Sequence, residues 1–240
     1  MRRCFAAAVV AALVLAPGGG AGPTARVTVY AASSLTEVFQ RLDSRPAYSF
    51  GGSNQLAFQI RRGAPADVFA SASPAFTRSL YREGLVERPR AFAANALVLA
   101  VPRSNPAGLR SVFDLRDRRV RLVIGTASVP IGDYTRQLLR RLGLTSVLDK
   151  VVSQEPDVKS IVGKVALGEA DAGFVYATDV RAASGRLRAI PLPRWSQPAV
   201  RYEVTVVRAS RKKADARRFV ASLSTPRARR LLRGAGFAVP

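Results

Sequence analysis

The sequence predicts an α/β protein of two lobes, each a mostly parallel sheet flanked by helices, with the ligand site in the cleft between them. Strand-like apolar runs alternate with helix-like segments along most of the chain, which is the pattern of strand–helix–strand units. Two β-rich runs, Ala96–Val101 and Tyr202–Val207, sit where composition changes and read as crossings between the lobes. A chain of 240 residues with 48% apolar content has enough material for two small cores.

The elements follow in order. The N-terminal stretch MRRCFAAAVVAALVLAPGGGAG has a basic start, an apolar run Cys4–Ala16 and then Pro, Gly and small residues. It reads as a secretory signal, too short for a membrane span, with cleavage after Ala21 or Ala25. No cysteine follows the run to carry a lipid. Val27–Ala31 reads as a strand, and Leu35–Leu42 as a helix that Ser34 could cap. Ala47–Phe50 is a short strand, leading through GGSN into a helix over Gln55–Arg61. Ala66–Ala72 is a buried strand, and Pro74–Glu83 a helix stopped by Gly84.

Ala96–Val101 is strongly strand-like and is broken by PRSNPAG. SVFDL begins a short helix, and Val120–Ala127 is the next strand. Val129-Pro130 and Gly132 precede a helix over Asp133–Leu142. Val158–Leu167 is a helix and Ala172–Tyr176 a strand. After Tyr202–Val207 come two helices, Ala214–Leu223 and Pro226–Gly234. On this reading residues 1–25 are the signal, 26–95 with 203–240 the first lobe, and 96–202 the second.

Composition excludes several chemistries. The chain has no histidine, and its single cysteine, Cys4, lies in the signal-like segment. Nucleophilic catalysis through a Cys–His or Ser–His–Asp set is therefore out, as is a zinc site of nitrogen and sulfur ligands. With 16 acidic residues and no convincing acid pair, no catalytic residue is expected and the protein is not read as an enzyme. The formal charge is +22, nearly all of it from arginine. Scattered arginines suit a solvated surface, although a basic face for nucleic acid or envelope polyanions, or a field drawing in a small anion, would share that charge.

Four turns share one chemistry: a strand ends, a small or hydroxyl residue follows, and a helix begins. They are Ser33-Ser34, Ser53-Asn54, Pro130–Gly132 and Asp157-Val158. A helix N-terminus leaves backbone N–H groups unpaired and carries partial positive charge, so several converging on one point bind an anion without a charged side chain. Gly51-Gly52 would allow close backbone approach. Tyr176, at the end of GFVYATD, adds a neutral phenol donor. Each has a plainer alternative: Ser34 and Asp157 as caps, Ser53 and the Val129–Gly132 run as simple turns, Tyr176 as core.

VTVYAASSLTEVF, SFGGSNQLAFQIRRGAPADVFASA, VPIGDYTRQLLRRLG and GFVYATD together resemble the periplasmic molybdate-binding protein family of bacterial ABC transporters. The similarity runs in order over essentially the whole chain after the signal, and Gly63–Phe69 is its most specific block. The resemblance implies a type II periplasmic-binding-protein-like fold that closes over one tetrahedral oxyanion, molybdate or tungstate. It implies contacts from Ser34, Ser53, Ile131, Val158 and Tyr176, with the amide serving at Ile131, where the family often has alanine. It also implies delivery to a membrane permease, no cofactor, no cation site, no nucleic-acid partner, a monomer, and a periplasmic or cell-envelope location. A sulfate or other oxyanion receptor of the same fold is the alternative, and a secreted basic polyanion-binding protein a more distant one. One departure is the abbreviated QRLDSRPAYSF, where Pro46 disfavours helix at Arg45 and requires a short first helix, which could weaken packing of the first lobe.

Overall fold

The computed structural model describes residues 26–116 and 119–240, so the signal-like segment lies outside the described residues. The chain begins with β1 (Thr28–Ala32), a 3₁₀ turn over Ser33–Leu35, α1 (Thr36–Leu42), β2 (Ala47–Gly51), α2 (Ser53–Arg61), β3 (Val68–Ser71), α3 (Pro74–Arg82) and β4 (Arg90–Asn95). Next come β5 (Leu97–Pro102), β6 (Leu122–Gly125), α4 (Pro130–Leu142), β7 (Val151–Glu155), α5 (Val158–Ala166), β8 (Ala172–Tyr176), α6 (Ala177–Ala182) and β9 (Leu187–Ile190). It closes with β10 (Val200–Val206), α7 (Lys213–Ser222) and α8 (Pro226–Ala235).

These strands form two sheets on one plan, β2-β1-β3-β10-β4 and β7-β6-β8-β5-β9. The expectation of mostly parallel sheets needs correction. β1 is parallel to β2 and β3, and β6 to β7 and β8, but β10 and β5 each run antiparallel to both neighbours. The reason is connectivity. Parallel neighbours need a crossover connection, usually a helix, whereas β5 follows β4 across Ala96 alone, passing directly from one sheet to the other. β10 likewise enters the first sheet straight from β9 of the second, through a 3₁₀ turn at Arg194–Ser196. Gln197 binds both backbone groups of Leu97, accepting from its N–H at 2.9 Å and donating to its carbonyl at 2.8 Å, so the two crossings are tied together.

Central strands are apolar because both faces are covered: β3 and β8 are buried along their whole length. α1 is short, as Pro46 requires, and Tyr48 Oη closes the abbreviated connection by donating to the carbonyls of Asp43 at 2.7 Å and Phe39 at 3.2 Å. Several boundaries differ from expectation. α4 begins at Pro130 rather than Asp133, since proline at the first helical position has no N–H to lose and its fixed φ suits the helix. α2 begins at Ser53 rather than Gln55 for want of any side-chain cap to mark it. The sequence pattern does not mark three strands, β4, β7 and β9. All are edge strands that are exposed in part, so their sequences lack a continuous apolar run.

Tyr202 of β10 lies where the two halves meet. It is fully buried, with its ring 6.1 Å from Tyr176, 6.2 Å from Phe92 and 5.4 Å from Phe237, all edge-on.

Candidate functional site

The strand ends of β1, β2 and β8 and the first turns of α2, α4 and α5 converge on one cavity. Its lining includes Ser34, Ser53, Ile131, Val158 and Tyr176, so the five residues singled out from sequence come together. Ala32, Ser33, Gly51, Gly52, Ala72, Val129, Pro130 and Asp157 complete the lining. Lys, Arg and His are absent from it. The cavity has a volume of about 20 Å³ inside its mouth. That is room for one compact solute and too little for a sugar or a peptide.

Each lining group has a defined donor capacity. Ser34 does not cap α1, which has no side-chain cap. It lies inside the 3₁₀ turn, and its Oγ is 2.8 Å from Tyr202 Oη. Ser53 is the first residue of α2, and its Oγ accepts the Ala72 N–H at 3.1 Å. A backbone N–H only donates, so the Ser53 proton is left for another acceptor. Ile131 sits in the first turn of α4, where its N–H has no acceptor within the helix. Asp157 caps α5 through Oδ1, which accepts from Lys159 N at 2.7 Å and Ser160 N at 3.1 Å. The cap thus occupies the second and third amides of α5 and leaves that of Val158, the first. It also holds the one carboxylate of the lining toward its own helix.

Tyr176 differs from the rest. Its phenol is buried and has no hydrogen-bond partner within the described residues, which costs stability unless a ligand supplies one. Burial, reinforced by Tyr202 and Tyr134, raises its pKa well above 10, so the group is a neutral donor at physiological pH. Behind it lies Asp179, whose Oδ2 accepts the Tyr176 N–H at 3.2 Å. Burial pushes the Asp179 carboxyl up to about 7, opposed by Lys159, whose Nζ is 3.6 Å from Oδ1. Lys159 of α5 also reaches Glu37 of α1 at 2.6 Å, and Asn54 Nδ2 donates to Ser128 Oγ at 3.1 Å. The two halves are therefore in contact around the cavity. Gly52 packs so closely there that a Cβ on it would lie 2.5 Å from the Pro156 carbonyl oxygen.

Sequence reasoning missed Tyr202, Asn95 and Asp179. Asn95 and Tyr202 are 107 positions apart, and Ser34 and Tyr202 168 apart, so no local spacing signals them. Among the described residues no group of three or more acidic, Cys or His side chains could hold a metal ion, and no helix is long and apolar enough to cross a membrane.

Two mixed α/β lobes that close helix N-termini and hydroxyls over a small, cation-free cavity define a receptor for a small solute. The chain belongs to the bacterial extracellular solute-binding protein family, whose profile matches residues 27–238. Among its relatives, the molybdate-binding protein ModA of Mycobacterium tuberculosis is 35% identical over 233 residues, covering 92% of this chain and 88% of the relative. ModA of Haemophilus influenzae is 30% identical over 245 residues, covering 95% of each. In structure, the periplasmic molybdate-binding protein of Azotobacter vinelandii superposes with a TM-score of 0.80 over 90% of this chain and 100% of that one. Its identity is 23%, so this likeness concerns the fold.

Proposed function

We propose that this protein is an extracytoplasmic receptor that captures molybdate or tungstate and delivers it to the permease of an ABC transporter. The observation that carries the reading is a buried cavity lined by hydroxyls and free helix amides, without a cation, and with an unpartnered phenol at its wall. Molybdate at neutral pH is a dianion with no proton to donate, so a pocket of donors suits it. Ser34 and Ser53 contribute hydroxyls, Ile131 and Val158 amides, and Tyr176 its phenol. Each bond to a charged oxygen contributes about 1.5–3 kcal/mol. Six or seven such bonds, counting serine amides, support binding at about micromolar or below after desolvation and lobe closure are subtracted. Closure over the anion stabilises a form that a permease can recognise.

The lobes are assigned as 26–95 with 200–240, and 96–199, three residues earlier than the sequence boundary of 203 because β10 pairs with β4 of the first sheet from Val200 onward. The protein acts as a monomer without cofactor or enzymatic activity. Its location is the periplasm or cell envelope, reached by a signal over residues 1–25. A thermal-shift panel with molybdate, tungstate, sulfate and phosphate tests the ligand, followed by calorimetry on Ser34→Ala and Ser53→Ala. Each substitution is expected to weaken molybdate binding by roughly 10- to 100-fold with folding intact. Unchanged affinity in both variants would discredit the assignment, and tighter sulfate than molybdate binding would move it to a sulfate receptor.

A further inference from the structure

We propose that Asn95 and Tyr202 form a proton-orienting relay that makes Ser34 an obligate donor to the bound oxyanion, so that the site disfavours oxyanions carrying a proton. The proposal rests on the oxyanion reading above and names two positioning residues for it.

The polarity follows from one fixed donor. The Ala96 N–H reaches Asn95 Oδ1 at 3.0 Å, and a backbone N–H can only donate, which sets the orientation of the Asn95 amide. Its NH₂ therefore faces Thr178 Oγ1 at 2.9 Å and Tyr202 Oη at 3.4 Å. Tyr202 Oη, accepting from Asn95, directs its single proton to Ser34 Oγ at 2.8 Å. The reverse polarity would strand a phenol proton in a fully buried position, which is costly. Burial also raises the Tyr202 pKa above its ordinary value, keeping that proton in place.

Ser34 then accepts from Tyr202, and its own proton is free for the cavity that it lines. Ser53 is locked in the same sense by the Ala72 N–H. Two of the three serines that line the cavity from the first sheet's half, Ser34 and Ser53, thus have their protons directed to it, and accepting there from a ligand would leave those protons without a partner. Hydrogen phosphate has the same double charge as molybdate at pH 8 but carries one O–H that needs an acceptor. The Asp157 carboxylate is turned to its own helix, Oδ1 capping α5 and Oδ2 lying 3.5 Å from the Ser160 hydroxyl, and Tyr176 could accept only by leaving its own proton without a partner. Charge does not separate the two anions here; hydroxyl polarity does.

The test is calorimetric titration with molybdate at pH 8, with phosphate measured by displacement, on the parent, Tyr202→Phe, Ser34→Ala and the double variant. In Tyr202→Phe the Ser34 hydroxyl is released to turn and accept. Molybdate binding is expected to weaken about three- to tenfold while phosphate binding holds or tightens, so the preference for molybdate falls about tenfold. In the Ser34→Ala background the same substitution should move the preference less than about twofold, because the effect runs through Ser34. Equal weakening of both anions, or a shift that persists without Ser34, would overturn the relay. If Tyr202→Phe fails to melt cooperatively, Asn95→Leu removes the polarising NH₂ and is read by the same criterion. A parent that binds molybdate with a preference unmoved by these changes sinks the relay alone, whereas a parent that binds neither anion sinks the oxyanion reading and the relay with it.

Discussion

Gly52→Ala offers a way to hold the cleft open by one methyl group. Gly52 has φ −64° and ψ 131°, which alanine adopts freely, so the substitution adds no backbone strain. Its Cβ would lie 2.7 Å from Asn54 Oδ1, a side-chain end that can turn away, and 2.5 Å from the Pro156 carbonyl oxygen, which is backbone beside the cap of α5. Ordinary contact begins at 3.4 Å, so the first-sheet side must retreat from Pro156 by about 0.9 Å. Ser34 and Ser53 stay with an anion held on their own side, while Ile131, Val158 and Tyr176 recede. A bond of about 2.9 Å lengthened by that amount falls outside hydrogen-bond range. Losing one bond to a charged oxygen lowers affinity about 10- to 150-fold, and losing more than one lowers it further. The ligand-free protein, free to open, should melt close to the parent. Isothermal titration with molybdate alongside a ligand-free melt makes the measurement. Affinity within about twofold of the parent would refute the reasoning that closure at Gly52 aligns the second set of donors.

Other substitutions test separate links. Gly163, inside α5, has open space where a Cβ would go, so Gly163→Ala should leave molybdate affinity unchanged and raise the melting temperature, by about 0.5–1 kcal/mol of helix stabilisation. Tyr176→Phe should weaken binding roughly 10- to 100-fold in calorimetry yet leave the ligand-free protein no less stable, because the hydroxyl removed has no partner in the fold. Asp179 titrates at about 7 against an ordinary 3.8, so the folded chain holds a proton there that the unfolded chain releases. Stability from this group is therefore present at low pH and lost as pH rises from about 4 through 7; Asp179→Asn should flatten that slope in melts recorded across the window. Lys159→Met removes the partly exposed bridge between α5 and α1, and should cost less than about fivefold in affinity, with a penalty that shrinks as salt increases.

The sequence carried the local halves of this design. Alternating strand and helix patterns, the serines and glycines at strand ends and the Asp157-Val158 turn are short-range features, and short-range sterics and capping make them legible. They also marked the five residues that meet at the cavity, because a helix N-terminus is a donor wherever it points. Edge strands such as β7, VVSQE, were not legible, since pairing on one side and solvent on the other leave no uniform apolar run.

The tertiary structure alone decided the rest. Whether four turns face one another depends on how two sheets pack, and no spacing along the chain records that. The antiparallel strands β5 and β10 owe their direction to the route between the halves, not to their residues. The polarity of the Ser34 hydroxyl arises from a contact across 168 positions, and the raised pKa of Asp179 from complete burial. Hydrogen-bond direction and desolvation are properties of surroundings, and those surroundings exist only once distant segments have been brought together.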